Sequence, residues 1–192
     1  MTRNSARRRA FAAVLGALAA GVAIWWLPRC VTAERACLLY KEACHGPSSN
    51  DVSRVLLLAE RAYAIDPEQY HFWATAADDA WSARFVPGGA ARDADLRDSA
   101  GRWCGRTLDA NPWHPKARVM RAAMLAETDP GEAVRYWRRC VDWQYWEPFN
   151  HAFLAELHGR CGDFALASNT LERIRGMPYY EATRGILERM QK

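Results

Sequence analysis

The segment AERAYAIDP at residues 59–67 is repeated in outline by CGRTLDANP at residues 104–112. Each copy closes a helical stretch with a polar residue and a proline, and each leads into another helical stretch that carries aromatic side chains. Strand-like alternation is nearly absent from the chain. A repeat of helices predicts hairpins that stack on their neighbours, because a single helical hairpin cannot bury both of its faces.

Further parts of this repeat stand nearer the C-terminus. Gly162-Asp163-Phe164 predicts a turn between two helices, and small residues stand where paired helices would cross, at Ala77, Ala155 and Ala167. These residues and the closing prolines resemble the tetratricopeptide repeat (TPR), a helix–turn–helix unit of about 34 residues. The resemblance covers about residues 36–178. It implies an all-α fold, a TPR-like α-solenoid of about four degenerate hairpins with a capping helix from about Tyr180.

Local patterns support helices independently of this resemblance. Asp129-Pro130-Gly131-Glu132 combines a capping carboxylate, a proline at the first helical position and an acid three residues after the cap. The interval from Pro67 to Pro112 is 45 residues, so an insertion of about 11 residues is expected around Val86–Ala90. One face of a helix is predicted from apolar spacing at Leu96, Ala100, Trp103, Thr107 and Leu108.

The N-terminal region predicts a membrane segment. Residues 10–28 carry no charge and, as a helix, would span about 28 Å. Arg7, Arg8 and Arg9 stand immediately before this run, and Trp25 and Trp26 stand at its far end, where aromatic rings favour the membrane interface. The positive-inside rule then predicts a cytoplasmic basic segment at residues 1–9, a transmembrane signal-anchor at 10–28 and an extracytoplasmic domain at 29–192. A cleaved signal peptide, cut after Val31-Thr32-Ala33, remains the alternative.

The charge balance argues against a nucleic-acid partner. The chain carries a formal charge of +4, but five arginines precede residue 30 and no acidic residue precedes Glu34. Without residues 1–29, 21 basic groups face 22 acidic groups, a net charge of −1.

The arginine-rich composition also suggests a GC-rich bacterium, which predicts the bacterial inner membrane with the C-terminal domain in the periplasm. Small residues at Ala12, Gly16 and Ala20 form a face that could pack on another membrane helix, or belong to an alanine-rich anchor without a partner.

The cysteines and histidines do not form a recognised metal or haem motif. If Cys30, Cys37 and Cys44 share one helix, neighbours are about 10 Å apart and cannot bridge one another. Each then pairs elsewhere, pairs with another chain or stays free, and the spacing could also mark a seam for a partner helix. Bridges among Cys104, Cys140 and Cys161, in different predicted helices, remain open. His151, His158 and Cys161 share a helix face but lack a matching ligand pair, so no cofactor and no metal are predicted. His158 is expected to pack in the core.

No catalytic motif is present in the sequence, and the protein is therefore expected not to be an enzyme. Phosphate-binding loops, nucleophile elbows and His-Glu-x-x-His are all missing. The acidic pairs Asp78-Asp79 and Asp93-x-Asp95 are interpreted as solvated helix ends.

Nine tryptophans in 192 residues are the strongest compositional anomaly. Four of them, Trp73, Trp81, Trp103 and Trp137, fall at packing positions and are predicted to lie in the core. A second set, Trp143, Tyr145 and Trp146, crowds a segment between helical units. It is either an exposed patch that binds a protein or a sugar, or a packed elbow.

The resemblance also implies a ligand surface on the concave side of the solenoid. The residues expected to face it are His71, Asp78, Trp81, Phe149, Glu156 and Arg160. The function expected from these features is a membrane-anchored scaffold that binds a protein partner, a subunit of a membrane or cell-envelope complex. The alternatives are an accessory subunit of envelope polysaccharide assembly, similar to repeat regions of O-antigen-ligase-type proteins around Asn111-Pro112-Trp113, and a subunit associated with a metal or redox cofactor.

Overall fold

The computed structural model describes residues 3–45, 51–86 and 92–192, and these are α-helical without any strand. The fold class is therefore all-α, as the sequence predicted. The elements are α1 (Arg3–His45), α2 (Val52–Ile65), α3 (Tyr70–Ala83), α4 (Asp93–Ala110), α5 (Pro115–Thr128), α6 (Pro130–Trp143), α7 (Pro148–Arg160), α8 (Phe164–Glu172) and α9 (Tyr180–Met190).

The helices form two compact units, Met1–Ala110 and Asn111–Lys192. In the first unit each helix packs on the next, so that α1 pairs with α2 and α3 pairs with α4. In the second unit α5 pairs with α6 and α7 with α8, α6 also packs on α7, and α9 covers α7 and α8. The final helix begins at Tyr180, where a capping helix was expected.

The first helix is continuous for 43 residues and contains Pro28. The boundary predicted between residues 28 and 29 thus falls inside one helix. Its segment Phe11–Ala43 is long and apolar enough to cross a membrane, and its most apolar stretch is not covered by the rest of the protein. Further along, Ala36 and Ala43 are buried, and Ala43 packs with Val55 and Leu58 of α2. One helix therefore carries both the apolar segment and the first packing face.

Aromatic stacking organises the core of the first unit. Trp73 and Trp103 are completely buried and stacked, with ring centroids 5.4 Å apart. Tyr63 packs edge-on against both, and Arg106 covers the rings of Tyr63 and Trp103 while it binds Glu60 at 2.9 Å. These contacts join α2, α3 and α4, since each helix contributes at least one member.

Some expectations for the first unit are wrong. Trp81 is only partly buried, because it lies at the surface beneath Arg84, whose Cζ is 4.3 Å from the ring centroid. Arg84 also binds Asp93 at 2.6 Å, and this hydrogen bond holds the pKa of the Asp93 carboxyl below its ordinary value. Asp93 is therefore an ion-pair partner rather than a merely solvated end. Asp78 and Asp79 lie half-buried within α3, not at its end.

The insertion predicted around Val86–Ala90 falls largely outside the described residues, since residues 87–91 are not among them. Part of the extra length of the Pro67–Pro112 interval lies in α4, which has 18 residues, four more than α3.

The turns of the second unit follow the expected signals. Asp129 accepts a hydrogen bond from the Glu132 backbone N–H at 2.9 Å, and Pro130 opens α6. Gly162 has φ of 78°, a left-handed conformation that favours glycine, and it precedes Asp163, which caps α8 through the Leu166 N–H. The crossing residues Ala155 and Ala167 are completely buried, as is Ala77 in the first unit.

The aromatic core of the first unit leads to a stability prediction. Trp103→Ala should lower the free energy of unfolding by about 3–5 kcal/mol, because it leaves a cavity beside Trp73. Trp81→Ala is the matched control and should cost clearly less, since this ring is partly exposed. Chemical denaturation of the full chain in detergent, followed by circular dichroism, measures both. Equal losses for the two variants would contradict the packing described here.

Candidate functional site

The second unit contains a groove of about 500 Å³ between the beginnings of α5 and α7 and the end of α6. Its floor is partly buried and its rim is aromatic. The lining residues are Trp113, Pro115, Arg118, Val119, Trp137, Cys140, Trp143, Gln144, Glu147, Phe149, Asn150 and Tyr179.

A stacked tryptophan pair forms one wall of the groove. Trp113 and Trp143 lie with ring centroids 4.4 Å apart and an interplanar angle of 27°, and about half of each side chain is exposed. Trp113 is held by a tight turn, in which its backbone N–H donates to Asn111 Oδ1 at 3.1 Å. The turn continues into α5, where the Ala117 N–H donates to His114 Nδ1. An Asn-Pro-Trp sequence thus presents an indole at the surface.

Tyr179 and Phe149 lie at another part of the groove. Their rings meet edge-on at 5.6 Å, and Phe149 stacks on Phe153 at 5.9 Å. Tyr179 has φ of 72°, and within the described part of the chain it is the one non-glycine residue with a positive φ. A left-handed conformation costs a non-glycine residue about 1–2 kcal/mol. Backbone strain of this kind is concentrated at functional positions, and here it fixes a half-exposed tyrosine at the rim.

The floor of the groove contains Arg118 and Cys140. Arg118 is only 9% exposed, and its Cζ lies 4.9 Å from the Trp113 ring centroid. Burial raises the pKa of the Cys140 thiol, and the nearby Arg118 charge opposes this effect only in part. A neutral thiol therefore lies beside a buried cation.

The aromatic patch predicted from the sequence is divided by the structure. Trp143 lines the groove, whereas Tyr145 and Trp146 lie on the loop before α7, with their rings edge-on at 5.4 Å and about two thirds of each side chain exposed. A hydrogen bond anchors the backbone of this loop, since the buried His151 Nε2 lies 2.6 Å from the Tyr145 carbonyl oxygen. The aromatic side chains are thus exposed, on a segment whose backbone is anchored.

The residues expected on a concave surface have different positions. Phe149 lies in the groove, but Glu156 and Arg160 bind each other at 2.8 Å along α7. His71, Asp78 and Trp81 all lie on α3 of the first unit.

The remaining predicted sites have the following environments. Ala12, Gly16 and Ala20 lie exposed on α1, and their membrane-packing role stays a prediction. His151 and His158 are buried in α7, whereas Cys161 is the exposed residue that ends this helix rather than part of a helix. Within the described ranges no three His, Cys, Asp or Glu side chains are grouped to hold a metal ion. The thiols of Cys30, Cys37, Cys140 and Cys161 are not bridged.

Three groove residues were missed as site residues by the sequence analysis. The sequence signal at Trp113 is the Asn-Pro pair before it, which indicates a turn but not the wall of a groove. Tyr179 follows Pro178 at the start of the capping helix, and nothing in the sequence indicates its left-handed backbone. Arg118 looks like an ordinary helix cation, and its burial depends on α6 packing over it.

The chain was compared with protein-family models, with curated proteins and with solved structures, and none of the three comparisons found a match.

His158 leads to a pH prediction. Burial lowers the pKa of its imidazole below the ordinary 6.5, and the Arg138 charge acts in the same direction. The unfolded chain therefore binds a proton more readily than the folded chain, so the free energy of unfolding should fall as the pH drops through about 6.5.

Urea denaturation of the full chain at several pH values between 7.5 and about 5 tests this slope. Arg138→Gln should make it shallower, and His158→Gln should remove the contribution of this residue. A slope unchanged in His158→Gln would contradict the assignment.

Proposed function

We propose that this protein is a non-catalytic, membrane-anchored scaffold that binds a protein partner in the groove of its second unit. Its role is to assemble or stabilise a membrane or cell-envelope complex. The observation that carries the proposal is the open groove, where Trp113, Trp143 and Tyr179 are each about half exposed. Tryptophan, tyrosine and arginine are the residues most enriched at the energetic centres of protein interfaces.

The construction of the groove supports binding. Trp137 is buried beneath it and donates from Nε1 to the Asn150 carbonyl at 3.0 Å, which joins α6 to α7. Glu147 caps α7 through the Phe149 N–H. The wall and floor are thus held on helices, and a preorganised surface loses less conformational entropy when a partner binds.

The TPR-like interpretation is part of this proposal. Helices pair in sequence within each unit, capped by α9 at the end. Stacked helical hairpins create extended surfaces that proteins of this architecture use for binding. The sequence also lacks the phosphate loops and nucleophile motifs of common enzymes.

We extend the proposal to the membrane. In it, α1 anchors the chain in a bacterial inner membrane, with the N-terminus cytoplasmic and the helical domain periplasmic. The support is the apolar length of α1, the arginines before it and the tryptophans Trp25 and Trp26, of which Trp25 lies under Arg29 at 4.1 Å. Because α1 continues without a break into its pairing with α2, the first unit would be held close to the membrane surface without a flexible linker.

The partner is tested by purification of the full chain from its own membranes in mild detergent. A stoichiometric protein should accompany the wild type and should be lost in Trp113→Ala and Trp143→Ala. Trp146→Ala is the matched control, because this tryptophan is even more exposed but lies outside the groove, and this variant should keep the partner.

A chain that purifies alone would contradict the proposal, as would a partner lost only in Trp146→Ala. Binding of an oligosaccharide that depends on Trp143 would favour the polysaccharide-assembly alternative instead. A bound metal or a visible absorption band would favour the cofactor alternative.

The orientation leads to a separate labelling prediction. A membrane-impermeant maleimide added to intact spheroplasts should label the exposed Cys161, detected by mass spectrometry of its peptide. Cys140 is the internal control and should react only after denaturation, because it is buried. Labelling of Cys161 only after the membrane is permeabilised would place the domain in the cytoplasm and contradict the orientation.

A further inference from the structure

Arg118 is a buried charge without an ionic partner. Its side chain lies on the floor of the groove at 9% exposure, and among the described residues no carboxylate of the second unit lies within 4 Å of its guanidinium. Removal of an arginine from water is costly, and buried charges are usually paired with an opposite charge. The Arg118 side chain hydrogen-bonds the Cys140 thiol, but it has no opposite charge beside it, so the groove offers a position for an anion.

Two arginines of the first unit provide an internal comparison. Arg106 lies over Tyr63 and Trp103 and binds Glu60 at 2.9 Å. Arg84 lies over Trp81 and binds Asp93 at 2.6 Å. Each arginine thus has an aromatic ring and a carboxylate. Arg118 has the ring, Trp113, but its carboxylate is missing, and the space beside it is open.

The groove itself does not supply the missing charge. Glu147 is the one acidic residue among the lining residues, and it caps α7 by accepting a hydrogen bond from the Phe149 N–H, but its carboxylate forms no ion pair with Arg118. The Cys140 thiol hydrogen-bonds the Arg118 side chain, and burial raises the pKa of this thiol, so it is a neutral partner and not a negative charge. A carboxylate in direct contact with the Arg118 guanidinium would therefore come from a bound molecule.

The aromatic rim limits what that molecule can be. A small inorganic anion would satisfy Arg118 but would leave the rings of Trp143, Phe149 and Tyr179 uncovered. A groove of about 500 Å³ accommodates several side chains, and aromatic walls bind apolar groups. A molecule that pairs with the Arg118 guanidinium on the floor and also covers the aromatic rings of the rim carries a carboxylate next to an apolar side chain.

We infer that the groove binds a peptide segment of the partner in which Asp or Glu neighbours an aromatic or aliphatic residue. The peptide carboxylate binds the guanidinium of Arg118, and the apolar neighbour packs against Trp143, Phe149 and Tyr179. This inference rests on the proposed function, since it assigns a chemical class to the partner of the same groove.

The test uses the full chain in lipid nanodiscs and two libraries of end-blocked hexapeptides. The libraries share the same apolar residues, Leu, Phe, Trp or Pro, around a central position that is Glu in one library and Gln in the other. Titration calorimetry measures each matched pair. The best Glu peptide should bind about 10- to 100-fold more tightly than its Gln counterpart, as expected for a hydrogen-bonded charge pair shielded from water.

Two variants distinguish the contribution of Arg118 to peptide binding from the contribution of the aromatic rim. Arg118→Met should weaken the Glu peptide to the affinity of the Gln peptide, whereas Trp143→Ala should weaken both peptides alike. Circular dichroism and thermal unfolding establish that each variant is folded. The comparison of Glu with Gln peptides on the wild type needs no variant at all.

Several outcomes would overturn the inference. They are equal affinities of the Glu and Gln peptides, binding of the Glu peptide that persists in Arg118→Met, absence of binding by both libraries, and tighter binding of an acidic oligosaccharide. None of these removes a protein that co-purifies through Trp113 and Trp143, so failure of the carboxylate assignment is distinguishable from failure of the scaffold proposal.

Discussion

The buried hydrogen bond from Trp137 Nε1 to the Asn150 carbonyl determines the geometry of the groove. It ties the middle of α6 to the first turn of α7, while the Trp137 ring packs edge-on against Phe149 and Phe153. Because these two helices are fixed, Trp143 at the end of one and Phe149 at the start of the other must lie beside the same space. The Asn150 side chain closes the connection by donating to the Gln144 carbonyl at 3.1 Å. The exposed aromatic side chains therefore stand on a rigid base.

The N-terminal helix α1 has two roles. A long helix serves both as a candidate membrane segment and as the first packing element of a helical unit. A rigid connection of this kind restricts the positions that the first unit can take relative to a bilayer, whereas a flexible linker would not. In the proposed function this restriction suits a scaffold, because a membrane complex requires its subunits at a defined height.

The sequence predicted those features that depend on local chemistry. The capping carboxylate Asp129, the turn at Gly162-Asp163 and the packing of Trp73, Trp103 and Trp137 all follow from spacing and residue type. The environments that tertiary contacts create are harder to predict from the sequence. Trp81 was expected in the core but lies partly exposed under Arg84, and Asp93 was expected to be solvated but binds the same arginine. Most of the groove escaped prediction for the same reason, since the burial of Arg118 and the strained backbone of Tyr179 depend on neighbours distant in sequence.

The central claim is that the groove of the second unit is where a protein binds. It is tested most directly by photo-cross-linking in living cells, with p-benzoylphenylalanine in place of Tyr179 and, in a separate strain, in place of Trp146. Our account predicts a discrete covalent adduct from position 179, formed with the same protein that co-purifies with the chain, and no such adduct from position 146. An adduct with that protein from position 146 and none from position 179 would contradict it.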